Sequence, residues 1–422
     1  MRVFKFGGAS VKDAAGVRNV AEIIRQFETE ELCIVVSAMG KTTNALEAIC
    51  NAYFNQTGKA ALLLEELKEK HLLLVRELFP NSNPSLIDEL EDIFAELYWA
   101  IEETQIKAYD YEYDQIVSQG EFISTRIVAA YLNDQGITTQ WLDARDIIRT
   151  DNTYREGGVQ WEYTQKAIQE KLQFNPSKPM RYLTQGFIGG TSENFTTTLG
   201  REGSDYSAAI IAYCVNAKDV SIWKDVPGVL NADPREFPQA QLLPVLSYYD
   251  AIELAYYGAT VIHPKTIKPL QNKNIPLYVK SFLQPEAPGT RISEDELKQE
   301  VPTYIFKKDQ VLISVSPRDF SFILEENLRD LFELFSQYRA HVNLMQNSAL
   351  SFSVCVTIED IRLEGLLKEL DRKYKVKYNH HCELITIRNY TEALASSLIG
   401  QRPVLLEQRS RHTLQVVLKE IQ

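Results

Sequence analysis

The sequence predicts an α/β protein with a mainly parallel sheet, followed by a smaller α+β region. Three observations carry this. Short apolar runs alternate with stretches of helical periodicity through roughly the first two thirds of the chain. Several of these runs end in glycine-rich or polar turns that lead into helices, the place where open α/β sheets hold their ligands. Beyond Pro285-Glu286-Ala287-Pro288-Gly289, where helix and central strand are both disfavoured, the pattern changes to β-α-β-β units.

The elements follow in order. A strand at Val3 to Phe6 runs into Gly7 and Gly8. A helix follows with Val17, Val20, Ile24 and Phe27 on one face, then a strand at Leu32 to Val36 and a helix carrying Leu46 and Ile49. Residues 60 to 105 read as a helical excursion, with Leu86, Leu90, Ile93, Leu97 and Ile101 as its clearest stripe and Asn83-Pro84-Ser85 as break and cap. Further strands are expected at Thr138 to Leu142, Arg181 to Phe187, Val220 to Trp223 and Leu277 to Phe282. In the C-terminal region strands are expected at Val311 to Val315, Val342 to Met345 and Phe352 to Val356, with helices at Leu324 to Phe335 and Leu363 to Tyr374. A second round begins at Leu384, and aligning Ser348 with Ser410 gives a repeat offset of 410 − 348 = 62 residues.

The 422 residues exceed a single small domain, and 45% hydrophobic with 24% charged residues excludes a disordered chain. Fifty-seven acidic against 45 basic residues give a net charge of −12, which disfavours nucleic acid and anionic lipid as partners in the absence of a basic run. No apolar stretch approaches the roughly 18 to 20 residues a bilayer requires, and the N-terminal strand is too short and too interrupted for a signal peptide. Cys33, Cys214 and Cys355 sit among apolar neighbours as buried thiols, and Cys50 and Cys382 form no CxxC pair with them. Adjacent His380 and His381 suit a solvated turn better than a metal site, and the cytoplasm is the expected compartment.

Several segments carry chemistry. Lys5-Phe6-Gly7-Gly8 ends a strand, where glycines admit a phosphate and lysine supplies a point charge; a tight turn with a solvated lysine is the alternative. Gly40-Lys41-Thr42 imitates the end of a P-loop, but Val35 stands where that motif needs glycine. Ser37, Thr43 and Asn44 at the same turn are either ligand groups or helix caps. Glu121, at a helix start, is either a dipole-stabilised carboxylate or the receptor of a cationic amine. Thr196 to Tyr206 packs Gly200, Arg201, Gly203, Ser204 and Asp205 before a helix, with Arg201 able to grip a carboxylate or phosphate and Asp205 placed to orient an ammonium. Lys224 and Asp225 leave a strand where a nucleotide would sit, and Asp233-Pro234-Arg235 follows. His263, before Pro264-Lys265, reads as structural.

Taken together these segments resemble the aspartate kinases (aspartokinases) of the amino acid kinase family. The resemblance rests on KFGG at Lys5, VSAMG at Val36, SQGE at Ser118, TLGREGSDYSA at Thr198, KDVPGVLNADPR at Lys224, AYYGATVIHPK at Ala255 and PGT at Pro288, in the family's order. It implies a three-layer α/β/α kinase domain over residues 1–292, a first ACT-like domain over 303–382 and a shortened second unit over 383–422. It implies that Lys5, Phe6, Gly7 and Gly8 hold the transferring phosphoryl group, with Asp205 organising Lys5. Glu121 would take the α-amino group of L-aspartate and Arg201 its α-carboxylate, with Ser37, Thr43 and Ser204 completing the pocket. Lys224, Asp225, Arg235 and Lys265 would surround ATP, whose phosphates carry Mg²⁺, with no metal held by the protein alone. The ACT-like units imply a homodimer and an amino-acid effector, lysine or threonine, with Asp319, Gln346, Asn347 and Ser348 at turns where it could sit. Three departures stand out: Ala9 in place of threonine, Leu230 in place of tyrosine, and a last unit without the usual closing helix. A glutamate or acetylglutamate kinase, and a non-catalytic amino-acid sensor, are the competing readings.

Overall fold

The computed structural model describes residues 1–104, 107–173, 179–259, 262–294, 301–319 and 321–420. Two compact units form. The first comprises Met1–Val229, Leu242–Ile252 and Thr260–Leu297; the second comprises Leu230–Gln241, Glu253–Ala259 and Lys298–Gln422. The catalytic segment expected over 1–292 is therefore interrupted twice by stretches that pack with the C-terminal unit. Thr260 and Val261 of the AYYGATVIHPK segment lie outside the described residues.

In chain order the N-terminal half holds β1 (Arg2–Phe6), α1 (Ala14–Arg25), β2 (Leu32–Val36), α2 (Thr42–Phe54), α3 (Ala60–Leu78), α4 (Pro84–Glu102), α5 (Tyr109–Val117) and α6 (Gln119–Asp134). There follow β3 (Gln140–Leu142), α7 (Ala144–Ile147), α8 (Trp161–Lys171), β4 (Arg181–Gln185), β5 (Ile188–Gly190), β6 (Thr196–Thr198), α9 (Gly203–Val215) and β7 (Val220–Lys224). Then come β8 (Val245–Ser247), α10 (Tyr248–Tyr257), α11 (Pro264–Gln271), β9 (Leu277–Ser281) and β10 (Thr290–Ser293). Eight strands make one sheet in the order β3-β4-β2-β1-β7-β9-β10-β8, parallel from β3 to β9 and antiparallel between β9 and β10. β2 and β4 are buried at every position, as strands covered on both faces must be, which is why they read as continuous runs. Phe4, Phe6 and Trp223 meet on β1 and β7, with Phe6 and Trp223 stacked at 5.9 Å. Asn83 caps α4 by accepting from Leu86 N with Pro84 in the first turn, as the sequence indicates, and Asp13 caps α1 by accepting from Gly16 N.

The second unit holds β11 (Thr303–Pro317), α12 (Glu325–Gln337), β12 (His341–Asn347), β13 (Phe352–Thr357), α13 (Asp360–Lys373), β14 (Tyr374–Arg388), α14 (Glu392–Ile399), β15 (Val404–Arg409) and β16 (Thr413–Lys419). One six-stranded antiparallel sheet runs β12-β13-β11-β14-β16-β15. Both repeats share its central strands: Thr303 to Lys307 pair with Leu384 to Arg388, and after a register shift Leu312 to Pro317 pair with Tyr374 to Asn379. The boundary expected at residues 382 and 383 thus falls inside β14. The solvated turn expected at His380 and His381 is instead an irregular stretch of that strand, with both rings exposed and His381 at φ 51°.

The 62-residue repeat is reproduced in hydrogen bonds. Ser348 N donates to Ser351 O and Ser351 N to Ser348 Oγ at 2.8 and 3.1 Å; Ser410 N donates to Thr413 O and Thr413 N to Ser410 Oγ at 2.8 and 3.0 Å. The register shifts also coincide, between Val342 and Leu344 and between Val404 and Leu406. β16 is the last described element. All five cysteines are free and buried, and burial pushes the thiols of Cys33, Cys50, Cys214 and Cys355 up to about 12. No described helix is long and apolar enough to cross a membrane.

Candidate active site

Lys5 occupies the penultimate position of β1 and is 8% exposed, its Nζ lying 2.6 Å from Asp205 Oδ1. Asp205 stands in the first turn of α9, and its other oxygen lies 3.4 Å from Lys224 Nζ, at the end of β7. Because β1 and β7 are parallel neighbours, their carboxyl ends deliver both ammoniums to one carboxylate. Burial opposes ionisation of Asp205, but the Lys5 and Lys224 charges outweigh it and hold the carboxyl down to about 2. Burial likewise works against the Lys224 ammonium, and Asp205 and Glu202 reverse it and raise its affinity for the proton.

Gly8, in the turn after Lys5, has a steric reason. A Cβ on Gly8 would come within 2.7 Å of Ala38 O, and Gly8 O accepts from Gly40 N at 2.9 Å. The turn after β1 therefore lies against the turn after β2. Gly186 is equally constrained, since a Cβ there would meet Ser204 Cβ at 2.5 Å. Sequence reasoning passed over Gly186 because it fell inside the strand expected at Arg181 to Phe187, whereas β4 ends at Gln185 and leaves Gly186 in the turn.

Glu121 enters from α6 and is 3% exposed. Among the described residues its Oε2 has no hydrogen-bond partner. Burial pushes this carboxyl up to about 8, against the opposing pull of the Ala38 backbone amide and the Lys5 charge. Gly120 permits the close approach, as a Cβ there would meet Leu46, Thr42 and Ala38 at 3.0 to 3.2 Å. Ser124 Oγ, one turn on, donates to Ser37 O at 2.7 Å and ties α6 to the end of β2. Ser37 and Thr43 are half-buried, Thr43 in the first turn of α2, and Ser204 is buried beside Gly186.

The loop that carries Arg201 is anchored by Asp114, another residue the motifs did not reveal. Its Oδ2 accepts from Arg155 N and Thr198 N, and its Oδ1 from Thr198 Oγ, all at 2.8 Å. Burial pushes the Asp114 carboxyl up to about 6 despite these three donors. Beyond Thr198 the chain turns at Gly200, with φ 76°, and leaves Arg201 exposed. Arg201 carries its charge near His263, whose proton affinity falls through burial first and through Lys265 and Arg201 next. His263 caps α11, its Nδ1 accepting from Lys265 N at 3.2 Å, the structural role its sequence suggested.

Three further expected nucleotide residues are exposed. Asp225 is exposed immediately after β7. Arg235 is 86% exposed in the second unit and holds Asp233 through paired hydrogen bonds of 3.1 and 2.7 Å. Lys265 is exposed on α11, 5.9 Å from the Tyr206 ring centre, and lines a cleft of about 400 Å³ with Trp161, Tyr213, Lys268, Pro269 and Asn272.

Residues 1–281 match the amino acid kinase family. Aspartokinase 1, chloroplastic, of Arabidopsis thaliana is 34% identical over 435 aligned residues, covering 98% of this chain and 73% of its own length. Aspartokinase 3, chloroplastic, of the same plant is 32% identical over 91% of this chain and 71% of its own length. The chain spans only 42% of the bifunctional aspartokinase/homoserine dehydrogenase 2 of Arabidopsis thaliana, at 30% identity. Among solved structures, E. coli aspartokinase III in complex with lysine and aspartate superposes with a TM-score of 0.83 at 25% identity, over 99% of this chain and 96% of that one. The same enzyme with aspartate and ADP gives 0.82, also at 25% identity and with the same coverage of both chains. By the span of the family match and the share of these relatives that aligns, the chain belongs to the amino acid kinase family, among its aspartokinases.

Proposed function

We propose that this aspartate kinase transfers the γ-phosphoryl group of ATP to the side-chain carboxylate of L-aspartate at the carboxyl ends of β1 and β7. The supporting observation is the convergence of Lys5, Asp205 and Lys224 within 2.6 and 3.4 Å, with the Lys5 charge acting on the buried Glu121 carboxyl, whose Oε2 has no hydrogen-bond partner among the described residues. Asp205 fixes the Lys5 ammonium beside Gly7 and Gly8, so the charge is already aimed when the phosphoryl group arrives. Lys224 meets the nucleotide phosphates, and Phe6, Gly7 and Gly8 give their turn to the transferring group. Glu121 receives the α-amino group of aspartate, Arg201 grips its α-carboxylate, and Ser37, Thr43 and Ser204 complete the pocket. The attacking carboxylate is ionised at neutral pH, so none of these residues acts as a general base.

Magnesium enters this reading with the nucleotide. Asp205 and Glu202 are each engaged by lysine, a donor set that fits an ion brought in on phosphate oxygens better than one held by the protein. The ion neutralises phosphate charge when bound. Asp225, exposed one residue beyond Lys224, is the carboxylate that would face its waters. Arg235 and Lys265, both exposed, complete the nucleotide side in this reading.

The second unit regulates in this reading, through lysine or threonine held by exposed Gln346 and Asn347 on the edge strand β12. Ser348 and Asp319 are already engaged in turns, Asp319 accepting from Ser321 N at 3.1 Å. The same edge, with Met345 exposed on it and Leu350 exposed in the turn that follows, supports a homodimer. Free, buried thiols support a reducing compartment, the cytoplasm.

The test is ADP release coupled to turnover, with aspartate, glutamate and N-acetylglutamate compared as acceptors and the acyl phosphate trapped by hydroxylamine. Turnover with aspartate alone is expected; a preference for either other acid would refute the assignment. Light scattering of the wild type and Met345→Glu checks the dimer, which the substitution should dissociate.

A further inference from the structure

Glu202 belongs to none of the roles above, yet its backbone and side chain are both unusual. It occupies the N-cap of α9 at φ 56° and ψ 26°, the left-handed region where glycine is at ease and glutamate is strained. Glycine stands two residues before it and one after it, but not at the left-handed position itself. Its Oε2 lies 3.5 Å from Lys224 Nζ, so the cluster runs Lys5, Asp205, Lys224, Glu202 in alternating charge. Asp205 is enclosed at 1% side-chain exposure, whereas Glu202 is at the rim at 29%, beside Lys224 at 19%. Two ammoniums thus face two acidic side chains that also hydrogen-bond to each other, with burial foremost in raising the proton affinity of Glu202, and the outer of the two is the more exposed.

We propose that Glu202 serves as the resident counter-anion of Lys224, holding the side of the ammonium that a nucleotide phosphate takes in turnover and thereby limiting how tightly ADP is kept. This rests on the reading of Lys224 as a nucleotide-phosphate ligand. Asp205 already fixes Lys224 at 3.4 Å, so Glu202 is not required to hold it in place. Its carboxylate is a like charge next to incoming phosphate and must turn outward, which its exposure at the rim allows. A rim charge of this kind is worth a modest factor, about two- to fivefold in affinity.

ADP binding to the full chain, measured by calorimetry without aspartate, tests the proposal. Glu202→Gln keeps size and backbone strain but removes the charge, and should tighten ADP about two- to fivefold while leaving the aspartate KM unchanged. The gain should shrink in 0.5 M salt, a response that a purely structural role would not give. Glu202→Gly removes both charge and strain and should tighten ADP equally while also raising the melting temperature. Unchanged or weaker ADP binding in both variants overturns the proposal. Lys224→Met separates the two readings. If it leaves ADP affinity unaltered, the nucleotide role of Lys224 falls and Glu202 with it. If Lys224→Met weakens ADP at least tenfold but neither Glu202 variant tightens it, only the Glu202 proposal falls.

Discussion

If Glu121 receives the ammonium of aspartate, the affinity for aspartate should rise steeply with pH. Its carboxyl is pushed up to about 8 in the empty site because burial disfavours the charge, and only the ionised form pairs with an ammonium. A carboxyl with that value is about 1% ionised at pH 6, about 10% at pH 7 and half ionised at pH 8, and apparent affinity scales with the competent fraction. The aspartate KM should therefore fall about 50-fold between pH 6 and pH 8, close to tenfold over the first unit. Asp205, held down to about 2, stays ionised throughout and adds no slope. The linkage sign agrees. A carboxyl raised above its unfolded value stabilises the empty enzyme fully below its ordinary pKa, and that contribution is lost as pH rises through about 8. Aspartate relieves the buried charge at the high end, so it should protect against heat more at pH 8 than at pH 6. Initial rates with aspartate varied at saturating ATP measure the effect, and Glu121→Gln is the control, expected to show a high and flat KM. A wild-type KM independent of pH, or an equal slope in the Gln variant, would refute the reasoning.

Three further outcomes follow from the same geometry. Lys5→Ala should lower turnover by about 100- to 1,000-fold with the fold retained by circular dichroism, since it removes one preorganised charge aimed at the phosphoryl group; activity within threefold of wild type would remove Lys5 from the chemistry. Gly186→Ala should destabilise the protein by about 1 to 3 kcal/mol, read as a lower melting temperature, because its Cβ would stand 2.5 Å from Ser204 Cβ and 2.8 Å from Ser204 Cα, neither of which can yield as a flexible chain end would. Titration of lysine and threonine against the initial rate should change aspartate affinity about 5- to 150-fold for a true effector; a flat response to both would leave the second unit architectural.

The strands that were legible in the sequence are those whose physics is local. β1, β2 and β7 are apolar runs because helices cover both faces, and their ends were marked by glycine or by a switch to polar residues. The hairpin of β5 and β6 was not legible, because Ile188-Gly189-Gly190 and Thr196-Thr197-Thr198 carry neither an apolar run nor an alternation. What holds that region is a carboxylate about 80 residues upstream, Asp114, bonded to Thr198. The sharing of β11 and β14 between repeats was hidden for the same reason, since Thr303 pairs with Arg388 far along the chain. The 62-residue repeat was visible because a serine must close each hairpin, which constrains Ser348 and Ser410 while leaving most neighbours free to differ.

The site shows the same division between what one segment specifies and what the fold brings together. Motif order singled out Lys5, Asp205 and Lys224, but that a single carboxylate lies between two lysines follows only from β1 and β7 being parallel neighbours with α9 starting above them. Arg235 illustrates the reverse case. Its motif suggested a nucleotide ligand, yet Asp233 two residues earlier offers a carboxylate at hydrogen-bonding distance, and the pair closes locally. Glu202 is the sharper example, because nothing in its spacing marks it. A glutamate between glycines reads as a solvated loop residue until its left-handed backbone and its 3.5 Å approach to Lys224 are seen together. A strained conformation persists only where the surroundings over-determine it. Here those surroundings are Lys224 and the start of α9, so the strain coincides with the lysine on which the proposed nucleotide site depends.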